Sequence, residues 1–161
     1  MSCGGNCSGA CAAPAAPRAP AGPTTQDGLD ALVAHAVAKA GFARRKYGPV
    51  IDRVALEAML GDAEVVRFPT RLRFDGELMA GEFAHAMASG EKQSLTYTVW
   101  VHPHLAANEE LLVRAVAYHL VRVNYGDIAT SDAAEAFGAE LLGIDREEYY
   151  AALCALADSL A

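Results

Sequence analysis

No apolar run in this chain approaches the roughly 20 residues that a membrane-spanning helix needs. Positive charge is also scarce: 13 Lys and Arg face 20 Asp and Glu, for a net charge of −7. A surface of that sign repels duplex phosphate and anionic headgroups, which argues against nucleic-acid and membrane partners. No basic segment followed by an apolar one opens the chain, so we expect no secretory leader and a cytoplasmic location. The G-x4-G-K-[ST] and G-x-G-x-x-G phosphate loops are missing, and so is a G-x-S-x-G nucleophile elbow, so nucleotide, dinucleotide and serine-hydrolase chemistry have no support. There is no internal repeat. With only four cysteines and no leader, reduced thiols or metal ligands are expected rather than disulfides.

What is present suits one domain. The length of 161 residues is that of a single unit, and 53% hydrophobic residues can fill a core. Residues 1–26 stand apart: three cysteines among glycines, then alternating Ala and Pro. Such a stretch buries nothing, so we expect a flexible tail there and a folded domain over 27–161.

Within that domain the spacing of Leu29, Leu32, Val33, Ala36, Val37 and Ala40 predicts a helix, capped by Asp27 or Asp30 and ending on the basic run Arg44-Arg45-Lys46. Tyr47-Gly48-Pro49 breaks it, and Asp52 starts a short helix that stops at Gly61. Glu64–Phe68, Arg71–Phe74 and Leu95–Val101 read as strands, while 77–88 fit either strand or helix. Three further helices follow: Glu109–Val123, one capped by Thr130 or Ser131 and ended by Gly143, and one capped by Asp145. The expected class is α+β: a small antiparallel or mixed sheet packed against about five helices.

Tyr47-Gly48-Pro49-Val50-Ile51-Asp52, followed by Leu56 and Leu60-Gly61, and the later string Ala134-Glu135-Ala136-Phe137-Gly138-Ala139-Glu140-Leu141-Leu142, resemble segments of the ImmA/IrrE family of zinc-dependent peptidase-like domains. The resemblance spans roughly residues 28–145. It implies a zincin-like fold, with Leu95–Val101 as an edge strand. It also implies a zinc site on the helix containing Ala115–Arg122, where the family carries Ala-His-Glu-x-x-His. That chemistry needs two His one helical turn apart to hold Zn²⁺ and an adjacent Glu as base. In one register Tyr118, His119 and Arg122 stand where the ligand, the base and the second ligand belong. In the shifted register His119 keeps a ligand, but Leu120 replaces the base and Val123 the second ligand. An Arg in the shell would repel the cation. For the third ligand, Ser131 falls near the family's carboxylate, with Asp132 one residue off. The expectation is a non-catalytic relative that works through another protein.

Cys3, Cys7 and Cys11 form a C-x3-C-x3-C series with glycines between. Glycine lets backbone wrap closely round a metal, and thiolates select Zn, Cu(I) or Fe–S centres. The alternative function is therefore a metal or iron–sulfur accessory protein, or a small subunit of a larger metalloenzyme. His102 and His104 form a possible metal pair near Glu109 and Glu110, although a solvated strand exit is the plainer reading. Glu82 and His85 make a single E-x-x-H step, read as structural because a di-iron bundle needs two. His35 and His119 are expected as satisfied core histidines, and Cys154 as a buried small apolar residue.

Overall fold

The computed structural model describes residues 22–75 and 77–161, so Cys3, Cys7 and Cys11 lie outside the described residues. Among the described residues the fold is α+β, with a three-stranded sheet and five α-helices. The first helix, α1, covers Thr25–Tyr47. Its cap is Thr24, ahead of the Asp27 or Asp30 expected. Asp27 is instead the third helical residue and closes a capping box: its backbone N–H bonds the Thr24 hydroxyl, and its carboxylate accepts from the Thr24 N–H at 2.6 Å. The short α2 spans Arg53–Leu60 with Asp52 capping through Ala55 N, and Gly61 ends it as the sequence predicts.

The expected strand at Glu64–Phe68 is a turn. Asp62 Oδ1 accepts from Glu64 N, while Asp62 O accepts from both Val65 N and Val66 N. Val65 and Val66 are both buried, so the segment lacks the alternation a strand needs. The side chain of Asn124 stands in for a strand partner. It donates to Val65 O at 3.1 Å and accepts from Arg67 N at 2.8 Å.

Strand β1 is Thr70–Phe74, β2 is Ala84–Ser89 and β3 is Thr96–Val101. The order is β1-β3-β2, with β1 parallel and β2 antiparallel to β3. The expected edge strand is thus the central one. The ambiguous 77–88 stretch supplies the edge, its alanines carrying too little strand propensity to declare it. Tyr97, Val99 and Val101 turn their side chains into the core against the helices.

The remaining helices are α3 (Glu109–Tyr125), α4 (Ser131–Leu142) and α5 (Arg146–Ser159). Asn108, Thr130 and Asp145 cap them through side-chain oxygens, and Gly143 ends α4 in the left-handed conformation, φ 65°. Helix α3 crosses the sheet on its buried face, and α4 packs between α1 and α3. Small residues permit that close approach: Ala36, Ala40 and Ala43 on α1 face a helix rich in Ala and Gly. Among the described residues no helix is long and apolar enough to cross a membrane.

Candidate functional site: a cleft between the β2 edge, α3 and the start of α4

A cavity of about 490 Å³ opens where β2, the C-terminal half of α3 and the entry to α4 meet. Tyr118, His119 and Arg122 line it from α3, and Ser131 from α4. On a helix, positions four apart share a face, which is why Tyr118 and Arg122 reach the same opening. Ser131 arrives because α4 begins there, directly after its Thr130 cap. Strand β2 supplies His85 and the small wall of Ala86 and Ala88.

Each polar group in the cleft has a definable state. The Phe83 ring meets His119 edge-on at 5.7 Å and Tyr118 at 6.2 Å between centroids. His119 Nε2 is shut off from solvent without a hydrogen-bond partner. Burial first, then the nearby His85, pulls the His119 pKa down to about 4. The imidazole is therefore neutral near neutral pH, because a charged form would lose its hydration unrepaid. The satisfied core histidine expected at 119 is enclosed but not satisfied. The Tyr118 phenol is pushed up by burial and by the Glu135 charge, so it stays protonated. Arg122 directs its guanidinium to Asp127 at 2.7 Å. His85 Nδ1 lies 3.2 Å from Glu82 Oε1, so the E-x-x-H step sits at the start of an edge strand and not on a helix.

No described residue lining the cleft is a carboxylate. The nearest candidate for a third ligand, Asp132, is engaged by Arg146 at 2.5 Å, and Glu135 by the same guanidinium at 2.8 Å. Among the described residues no three His, Cys, Asp or Glu side chains converge as a metal shell. What the cleft offers is hydrogen-bond donors, small apolar walls and a strand edge.

That edge is open. The bond from His102 N to Phe83 O, 2.9 Å, sets the alternation of the β2–β3 ladder. In an antiparallel pair the bonded positions recur every second residue. His85, Met87 and Ser89 thus bond toward β3, and the backbone N–H and C=O of Ala86 and Ala88 point away from it. No described strand pairs on that side.

The other expected sites are dispersed. The His102 and His104 rings lie 4.9 Å apart, but His102 Nδ1 accepts from His104 N, and the Glu109 carboxylate is turned to Arg53 N. His35 is exposed rather than core, its Nδ1 2.6 Å from the Tyr125 hydroxyl. Cys154 is exposed too, because it lies off the α5 face that buries Tyr149, Leu153 and Leu156.

No protein-family model, curated protein or solved structure matches the chain.

Proposed function

We propose that the chain is a non-catalytic interaction module on an ImmA/IrrE-like scaffold, and that its cleft takes an extended segment of a partner protein. One observation carries this reading. The positions at which the resemblance would put a zinc–water site, Tyr118, His119, Arg122 and Ser131, all line one cleft, and that cleft has a free strand edge but no carboxylate base among its described lining. A zinc peptidase needs imidazole pairs and a base to polarise water. Tyr118 and Arg122 supply donors instead, and His119 stays neutral behind them. An extended peptide would add beside β2, its backbone bonding to Ala86 and Ala88, with one side chain set against the alanines and Tyr118. Main-chain bonds of this kind give affinity, and the pocket gives selectivity.

Peptides selected from a random displayed library against the full chain test the idea. Ala88→Pro removes an outward N–H without touching the bonds to β3, and an edge strand tolerates it. We expect the selected peptides to bind this variant about tenfold more weakly, the cost of a lost backbone bond and a ring in the way. Val54→Ser, at an exposed position on α2, should leave binding unchanged. Equal binding to parent and Ala88→Pro contradicts the proposal.

A further inference from the structure

A second cavity, of about 350 Å³, lies between α1, the 62–68 turn and the end of α3, and shares no lining residue with the cleft. His35, Lys39, Arg67, Asn124 and Tyr125 surround it, and no described lining residue is acidic. That is unexpected on a chain whose acidic residues outnumber its basic ones, 20 to 13.

The groups are arranged as donors. Burial raises the Tyr125 pKa, so its phenol is protonated, and its oxygen lies 2.6 Å from His35 Nδ1. With the phenol as donor to Nδ1, a neutral imidazole carries its proton on Nε2. Lys39 Nζ donates to the Glu64 carbonyl at 3.1 Å, which occupies one of its three hydrogens. Arg67 spends its backbone N–H on Asn124 Oδ1, and its guanidinium lies over the Phe68 ring at 5.2 Å. Neither Lys39 nor Arg67 forms an ion pair among the described residues, as is also true of Arg44, Arg45, Arg71, Arg73 and Lys92, but of these only Lys39 and Arg67 share a cavity with an imidazole.

The two carboxylates of the adjoining turn, Asp62 and Glu64, are already paired. Glu64 is drawn to Lys46 at 2.5 Å, and Asp62 to Lys46 and the Tyr47 hydroxyl, each at 2.7 Å. Lys39 and Arg67 outweigh what remains. Donors thus come from two directions: α1 through His35 and Lys39, and the turn through Arg67, while the Tyr125 hydroxyl on α3 is spent on orienting His35. Asn124, with both amide atoms committed, fixes the turn that carries Arg67.

Two cations without ion pairs and an imidazole, in a lining with no carboxylate, favour an anionic ligand, and an oxyanion with several oxygens can meet donors on more than one side. We propose that this cavity binds a phosphoryl group, either as inorganic phosphate or as the monoester of a small molecule.

Titration of the full chain with inorganic phosphate, phenyl phosphate and sulfate, followed by ³¹P line width and by calorimetry at constant ionic strength, tests this. Saturable binding of a phosphate compound is expected, weakened about tenfold or more by Lys39→Gln combined with Arg67→Gln, since each removes a charge-assisted bond. Tyr125→Phe, which keeps the ring and frees the His35 tautomer, should weaken it less and serves if the double variant does not fold. Tighter phenyl phosphate than phosphate identifies a monoester as the ligand, and equal binding identifies the free ion. Absence of saturable binding, binding unchanged in both variants, or equal response to sulfate overturns the proposal.

Discussion

Gly138→Ala is expected to destabilise the fold by about 3 kcal/mol, the upper part of the range for overpacking a core. A methyl group at 138 would stand 2.1 Å from Tyr149 Cζ and 2.2 Å from its hydroxyl oxygen. Moving the ring aside would disturb buried packing and its hydrogen bond. Tyr149 is fully buried, and its hydroxyl donates to Arg114 O on α3 at 2.7 Å. One glycine therefore lets α4, α5 and α3 meet at a single phenol. The melting temperature should fall by roughly 6–12 °C for a domain of this size. Replacing Tyr149 with Leu in the same chain should recover part of the loss, because contacting sites are not additive. Gly28→Ala provides the contrast. Gly28 sits in exposed α1 with nothing within 4 Å of the new methyl, so this change should stabilise by about 0.5–1 kcal/mol. Equal effects of the two substitutions would contradict the packing described for 138.

The second large effect is acid lability from His119. Its pKa is about 4 in the fold against an ordinary 6.5. A depressed histidine means the unfolded chain takes the proton first. Stability is therefore fully present above pH 6.5 and lost as pH falls toward 4, by about 3 kcal/mol in all. His85, whose charge adds to the effect, sits beside it with Glu82. Asp62, held at about 2 by Lys46 first and then by Tyr47, loses its contribution at lower pH. Chemical denaturation at stepped pH should show the slope, and His119→Leu should flatten it between pH 6.5 and 4. A slope unchanged by that substitution would mean the imidazole is not enclosed.

Local chemistry explains what was legible beforehand. Asp52 with Gly61, Thr130 with Gly143, and Asp145 each declare a helix boundary within a few residues, because capping is a contact between near neighbours. The 3.6-residue repeat of α3 likewise puts Tyr118 and Arg122 together. The sheet was harder. Ala84–Ser89 has no β-branched residue, and only pairing with β3 makes it a strand. Val65 and Val66 look like a strand until Asn124, far along the chain, takes the bonds a neighbouring strand would make. The part of the cleft built by β2 was hidden for the same reason. The fit of Gly138 to Tyr149, the orphaned Nε2 of His119, and the meeting of His35, Lys39, Arg67 and Tyr125 are tertiary facts with no periodic trace. Exposure of Cys154 follows from which α5 face docks, and Ala and Leu neighbours do not announce it.

Zinc binding by the full chain, with Cys3, Cys7 and Cys11 changed to Ser so that only the domain reports, bears most directly on the cleft. We expect no tightly held zinc in that protein. Substituting Tyr118→His, His119→Glu and Arg122→His should create affinity where there was none, since the two new imidazoles would lie one turn apart on the cleft wall. A stoichiometric zinc ion in the unsubstituted cleft, removed by His119→Ala, would contradict the account.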